Sequence, residues 1–375
     1  MYIDSDMKYF LIAGERSGDL HGGNLVKALR KEDSEANCRG FGGNYMADAG
    51  MQVLVNYEQM AFMGFAEVVG NLPAIMGLFR RCKEEIIKFR PDVIIMIDYA
   101  GFNLRMARWA KQQGFKVFYY ISPKVWAWNQ KRALKIKKYV DQMFVIMPFE
   151  QEFYSRWGMD VDFVGNPLLD AIRDFTPNPQ FNEQNQLPDK PIIALLPGSR
   201  KQEVLSLLQV MLPVSKDFPE YTFVVAGLTS LPGVMYAAAE NFPQVRIVYD
   251  QTYELLSHAT AAVVASGTAT LETALFEVPQ VVCYKTSWLT YQIAKRIVSV
   301  PYISLVNLVA GEGLVKELIQ DDFSEKKLQE ELKKILPRGE DRPRQLQGYE
   351  KLKASMGEEA ASERTARLMV NYLKK

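Results

Sequence analysis

The sequence is poor in the residues on which metal and nucleophile chemistry most often depends. Histidine occurs twice, as His21 and His258. A three-histidine zinc site is thereby excluded, and a Ser-His-Asp triad would have to use one of these two. The three cysteines, Cys38, Cys82 and Cys283, are scattered, odd in number and outside any metal-ligand spacing. That excludes a disulfide framework and fits a reducing compartment. No metal and no cofactor is expected. A dominant charge sign is also lacking: 45 Lys and Arg face 44 Asp and Glu, for a net charge of +1. No global field calls for nucleic acid, and none is expected as a partner. Long apolar runs are missing too, so no stretch is suited to span a bilayer. The first residues carry neither the basic region nor the apolar core of a signal peptide. A cytoplasmic protein is expected, with any membrane contact peripheral.

What is present is a globular chain of 375 residues, 48% hydrophobic and 24% charged, long enough for two domains. Short apolar runs alternate with amphipathic segments. "KYFLIAG", "DVIIMID", "FKVFYY" and "DQMFVIM" read as buried strands. "TPNPQFNEQNQLPDK" has little to bury and reads as a linker. The rhythm restarts with "PIIALLPGSR", "YTFVVAG", "VRIVYD", "TAAVVASGTAT" and "PQVVCYK". Strand–helix alternation of this kind predicts parallel βαβ units. The expected fold is α/β, with two doubly wound Rossmann-like domains facing across a cleft. Ligands of such sheets bind beyond the carboxyl ends of the strands.

The motifs lie at those strand ends. "AGERSGD" fails the dinucleotide and P-loop patterns and is not a nucleophile elbow. It leaves Ser17 as a helix N-cap, with Gly14 and Gly18 allowing close approach of backbone to an anion; a plain capped turn is the alternative. "DVIIMIDYAGFN" ends a very apolar strand at Asp98. Partial desolvation there raises a carboxylate toward a useful base; the alternative is that Asp98 caps a helix beginning near Asn103. "LPGSR" offers Ser199 as a cap and Arg200 as a planar fork for a diphosphate, or for a surface ion pair. "VVASGTATLETAL" supplies Ser266, Gly267 and Thr268 at a helix start, with Glu272 one turn on, placed for a ribose hydroxyl.

Two further stretches point to a surface. Residues 62–81 carry Phe65, Val68, Val69, Leu72, Ile75, Met76 and Phe79 at helical spacing, ahead of Arg80 and Arg81. This face suits either a membrane interface or the core. "KVWAWNQKRALKIKK" interleaves Trp126 and Trp128 with six cations, including Lys124, Arg132, Lys135 and Lys138. It suits phospholipid headgroups, a phosphorylated substrate or plain solvent.

"AGERSGDLHG", "IDYAGFN", "YYISPKVWAW", "LPGSR" and "SGTATLETAL", in this order, closely resemble the lipid-A-disaccharide synthase family over nearly the whole chain. The resemblance implies a GT-B glycosyltransferase joining UDP-2,3-diacylglucosamine to 2,3-diacylglucosamine 1-phosphate with release of UDP. It implies a Gram-negative bacterium, peripheral attachment to the inner face of the inner membrane, and a homodimer as one possible assembly. By the same resemblance Asp98 is the expected base. Glu15, Ser17, Gly18, Arg200, Ser266, Gly267, Thr268, Glu272 and Asn307 are the expected substrate-binding residues. Residues 7–170 are the expected acceptor- and membrane-facing domain, 190–345 the UDP-sugar domain, and 346–375 a C-terminal helix crossing back to the first. Departures are Ala100 and Gly101 where the family pattern has proline after the aspartate, and Asn166 where it has histidine. A UDP-sugar epimerase of the same fold and a non-catalytic lipid-binding protein are the alternatives.

Overall fold

A computed structural model describes residues 7–60, 72–298 and 300–375. The chain forms two compact α/β units. One is built from the residues up to Pro167 and completed by Met356–Lys375; the other is Leu168–Ser355.

The first unit holds a seven-stranded sheet: β1 (Lys8–Ala13), β2 (Asn37–Gly42), β3 (Gln52–Asn56), β4 (Val93–Ile97), β5 (Val117–Tyr120), β6 (Gln142–Val145) and β7 (Asp162–Phe163). The order is β3-β2-β1-β4-β5-β6-β7, and every pairing is parallel. All five residues of β4, VIIMI, are buried. A strand covered on both faces needs such a continuous apolar run, which is why the sequence reads as it does. Helix Arg16–Glu32 covers one face with Leu25, Val26 and Leu29. Helix Ala361–Lys374 returns from the far end of the chain, packs on that helix and adds Ala366, Met369 and Val370 to the same core. Its register is fixed by polar contacts as well: Tyr372 donates to Asp162 at 3.1 Å, and Lys31 pairs with Glu363 at 2.8 Å.

The second unit holds β8 (Ile192–Leu196), β9 (Thr222–Gly227), β10 (Val245–Tyr249), β11 (Ala259–Ala265), β12 (Gln280–Tyr284) and β13 (Lys316–Ile319). Their order is β10-β9-β8-β11-β12-β13, again all parallel. Two apolar clusters form its core, one centred on Leu207, Met211, Phe223 and Leu332, the other on Leu196, Val224, Leu255 and Val264.

The linker expectation for residues 176–190 needs correction. Phe181 is fully buried among the second unit's core residues and stacks on the His258 ring at 5.0 Å. Helix Phe181–Gln184 carries it. One aromatic anchor in a polar stretch escapes a reading based on average composition. The strands β2, β3, β7 and β13 were not among the predicted runs. They are short or polar, and β2 contains Gly40, where a Cβ would fall 1.9 Å from the Leu11 carbonyl oxygen. Glycine is required for β2 to lie against β1, and it is the residue that hides the strand from a propensity reading.

Candidate functional site

Both sheets reverse their strand order at one point: between β1 and β4 in the first unit, and between β8 and β11 in the second. Such switch points open a crevice at the carboxyl ends of the flanking strands. The four loops that leave β1, β4, β8 and β11 are the four motif loops, Gly14–Gly18, Asp98–Asn103, Pro197–Arg200 and Ser266–Thr268.

The loop after β4 is the most constrained. Asp98 and Tyr99 are consecutive left-handed residues, with φ of 45° and 47°. Neither is glycine, so each costs about 1–2 kcal/mol. Two side chains hold the bend. Asn103, fully buried, donates through Nδ2 to the Asp98 carbonyl at 2.8 Å and to the Ile97 carbonyl at 3.2 Å. The Tyr119 hydroxyl donates to the same Asp98 carbonyl at 2.5 Å. Tyr99 in turn donates to the Met60 carbonyl at 2.8 Å. Its ring lies over Gly14, where a Cβ would meet it at 2.2 Å. The glycine of the first loop therefore makes room for a side chain of the second.

The result is a half-buried Asp98 carboxyl at the sheet's switch point. Burial raises its pKa above the ordinary carboxylate value, while the Lys124 charge and the Tyr99 N–H oppose the rise. Asp98 does not cap the following helix, which begins at Ala100 with Tyr99 as N-cap. The expected start near Asn103 is thus corrected by one turn. Tyr99, Asn103 and Tyr119 shape this candidate site, and spacing alone did not single them out. Asn103 is buried one turn into the helix, where its amide must find carbonyls.

The glycine loop also differs in detail. Glu15, not Ser17, is the N-cap residue of helix Arg16–Glu32; Ser17 is exposed in its first turn. The buried acid of this motif is Asp19, which accepts from the N–H groups of Gly43, Tyr45 and Met46 and anchors the next loop. Gly18 is buried, with Ala13 and the Ile97 carbonyl as the nearest neighbours of a Cβ placed there. His21 has its pKa lowered to about 4 by burial. It is neutral at pH 7.

In the second unit, Arg200 is the exposed N-cap residue of helix Lys201–Val214, and Gly198 before it adopts a φ of 95°. Ser199, also exposed, does not cap the helix. After β11, the Ser266 hydroxyl donates to the Ile303 carbonyl at 2.8 Å, so its proton is committed within the fold. Gly267 is the N-cap of helix Thr268–Leu275, and a Cβ there would meet nothing within 4 Å. Helix starts of this kind carry unsatisfied N–H groups and a partial positive charge. Thr268 is exposed at that start. Glu272 accepts from the Tyr253 hydroxyl at 3.2 Å, and burial pushes its pKa up.

Asn307, expected near the substrate, has its side-chain amide engaged within the fold. It is fully buried, donates to the Val315 carbonyl and Glu317 at 2.9 Å each, and accepts from Val315 N–H. Every strong hydrogen-bonding group of its amide serves the fold. Of the apolar surface residues, Phe65, Val68 and Val69 lie outside the described residues. Leu72 opens helix Leu72–Phe89. Ile75 is half-buried and Met76 is 62% exposed. Phe79 is corrected: it is buried and stacks on Phe102 at 4.2 Å, so it is not available to a bilayer in this conformation. Trp126 likewise turns inward and donates to Glu150, whereas Trp128 remains exposed.

Among the described residues no group of acidic, histidine or cysteine side chains is arranged to hold a metal ion. No described helix is long and apolar enough to cross a membrane.

Comparison with known proteins agrees with the motifs. The family model described as lipid-A-disaccharide synthetase matches residues 9–370. The lipid-A-disaccharide synthase of Syntrophus aciditrophicus is 39% identical over 97% of both chains. Among solved structures, the UDP-GlcNAc 2-epimerase of Neisseria meningitidis superposes with a TM-score of 0.63 at 13% identity, over 98% of this chain and 100% of that one. A kitacinnamycin glycosyltransferase superposes with a TM-score of 0.65 at 13% identity, over 98% and 99%. At such identities the solved structures establish only the GT-B fold. With motif order, fold and full-length similarity in agreement, the chain belongs to the lipid-A-disaccharide synthase family of glycosyltransferases.

Proposed function

We propose that this protein transfers 2,3-diacylglucosamine from UDP to the 6-hydroxyl of 2,3-diacylglucosamine 1-phosphate, with inversion and without a metal. The observation that supports it most is the left-handed Asp98–Tyr99 bend, which sets a desolvated carboxyl at the switch point of the first sheet. A backbone conformation this costly, held by two buried side chains, is the mark of a positioned reactive group.

In the proposed reaction Asp98 accepts the proton of the acceptor's 6-hydroxyl. That oxygen forms a bond to the donor's anomeric carbon as the bond to the UDP oxygen breaks on the opposite face. UDP leaves with the electron pair, and a β-1,6-linked disaccharide remains. The developing charge on carbon resembles an oxocarbenium ion. Arg200 and the helix start at Gly267 and Thr268 stabilise the charge growing on the pyrophosphate. Loss of one well-aimed donor costs roughly 2.7–4 kcal/mol in such a site. Glu272 accepts from a ribose hydroxyl, and Glu15 and Gly18 line the sugar's side of the first loop. The acylated substrates reside in a membrane, and peripheral attachment to the bilayer, with the exposed Met76 as one contact, is part of this reading.

The test is UDP release from the diacylated donor, with and without the 1-phosphate acceptor. Release only with acceptor, together with a disaccharide product, supports the transfer. Conversion of the donor alone into an epimer, or no UDP release at all, refutes it.

A further inference from the structure

Directly after the Asp98–Tyr99 bend, helix Ala100–Gln112 packs beside the short helix Ala133–Tyr139. Between them opens a cavity of about 600 Å³. One stripe of the longer helix lines it: Gly101, Leu104, Arg105 and Arg108, at the spacing of residues that share a helix face. Leu134, Lys135, Ile136 and Lys138 line it from the other helix, with Arg132 just before.

Its charge is one-sided. Five cations, Arg105, Arg108, Arg132, Lys135 and Lys138, line the cavity, and no aspartate or glutamate does. The chain as a whole is nearly balanced, with 45 basic and 44 acidic residues. Among the described residues none of the five enters an ion pair. The Arg132 guanidinium stacks on Trp128 at 4.5 Å, an arrangement that leaves in-plane N–H donors for an anion. The walls between the cations are aliphatic, and Leu134 is 54% exposed. Exposed aliphatic wall beside unpaired cations is complementary to an anionic amphiphile.

We propose that this groove binds the acceptor, seating its phosphomonoester among the cations and part of an acyl chain against the leucines; the proposal rests on the acceptor assigned above. A phosphomonoester carries close to two negative charges at pH 7, against one for a membrane phosphodiester. Five clustered cations fit the former better. A concave volume of this size holds a single small ligand, whereas a bilayer meets a flat or convex face. Ala100 and Gly101, which line the groove, follow Asp98 by two and three residues. A ligand held there rests on the loop that carries the proposed base.

The experiment uses detergent micelles, which remove the bilayer, and compares acceptors with and without the 1-phosphate. Wild type should favour the phosphorylated acceptor, and the double variant Arg105→Ala/Lys135→Ala should lose at least roughly tenfold of that preference while the donor KM stays within about twofold. Gly101→Phe projects into the groove, because a Cβ at Gly101 meets nothing within 4 Å; it should raise the KM of both acceptors. Dodecyl phosphate, titrated calorimetrically below its micelle concentration, should bind wild type and bind the double variant roughly tenfold more weakly. An unchanged phosphate preference overturns the proposal. So does a loss confined to sedimentation with phosphatidylglycerol vesicles, which would assign the cations to the bilayer. If wild type binds dodecyl phosphate in the groove yet transfers no sugar, the transferase reading fails and the anion groove stands. If it transfers sugar and the double variant keeps its preference, only the groove assignment fails.

Discussion

Replacing Asn103 by alanine separates the carboxylate's position from its chemistry. The two left-handed residues cost about 2–4 kcal/mol together. Three hydrogen bonds, one buried and two partly buried, offset this: Asn103 to the Ile97 and Asp98 carbonyls, and Tyr119 to the Asp98 carbonyl. At about 0.5–1.5 kcal/mol each they supply roughly 1.5–4.5 kcal/mol, comparable to the strain. Asn103→Ala removes two of the three and leaves the Ile97 carbonyl without this donor. The bend is then no longer compensated. The expected loss is about 1–3 kcal/mol of global stability, read by urea denaturation. The expected fall in kcat is on the order of tenfold to a hundredfold, because a displaced base loses its alignment. UDP affinity should hold, since Asn103 belongs to the first unit and the proposed UDP contacts to the second. A variant with unchanged kcat and unchanged unfolding midpoint would show that the bend is neither strained nor needed.

Other outcomes follow from the same geometry. Arg200→Ala should weaken UDP binding at least roughly tenfold by calorimetry; an unaltered affinity removes Arg200 from the pyrophosphate. Glu150 is buried, with its pKa raised to about 7. A carboxyl raised in the folded state stabilises while protonated, so the Glu150 contribution to unfolding free energy should fall as pH rises from about 4.5 to beyond 7, by about 3 kcal/mol, while the depressed His21 contributes the opposite slope over about 4 to 6.5. The difference in unfolding free energy between wild type and Glu150→Gln isolates this contribution; it should shrink as pH rises through the window, and a difference that is flat or grows with pH would contradict the assignment. Phe79→Ala should cost about 3–5 kcal/mol, because the ring is buried on Phe102. Met76→Ser should change stability by less than about 0.5 kcal/mol while reducing sedimentation with vesicles. The reverse pattern would invert the assignment of the helix face.

The sheets were legible because parallel strands buried on both faces leave runs such as VIIMI and IIALL, and the motif loops follow those runs directly. β2 and β3 were not, because Gly40 and the polar residues of these strands satisfy packing and pairing demands that a local pattern does not reveal. At the site, residue type pointed to Asp98, but the means of holding it did not show in the sequence. Asn103 and Tyr119 act on a carbonyl, and a backbone acceptor has no letter of its own. Asn307 went the other way. It was expected at the substrate, and its amide is engaged by residues eight and ten positions later, Val315 and Glu317. Phe79 and Trp126 were equally ambiguous, since a helical stripe has the same spacing whether it faces lipid or the Phe102 ring.

The most direct measurement is turnover by Asp98→Asn, with UDP binding measured on the same preparation. A base at Asp98 predicts near wild-type affinity for UDP and almost no disaccharide at any pH. It also predicts that wild-type activity falls as acid protonates a carboxyl titrating above the ordinary aspartate range. Full turnover by Asp98→Asn would contradict the account.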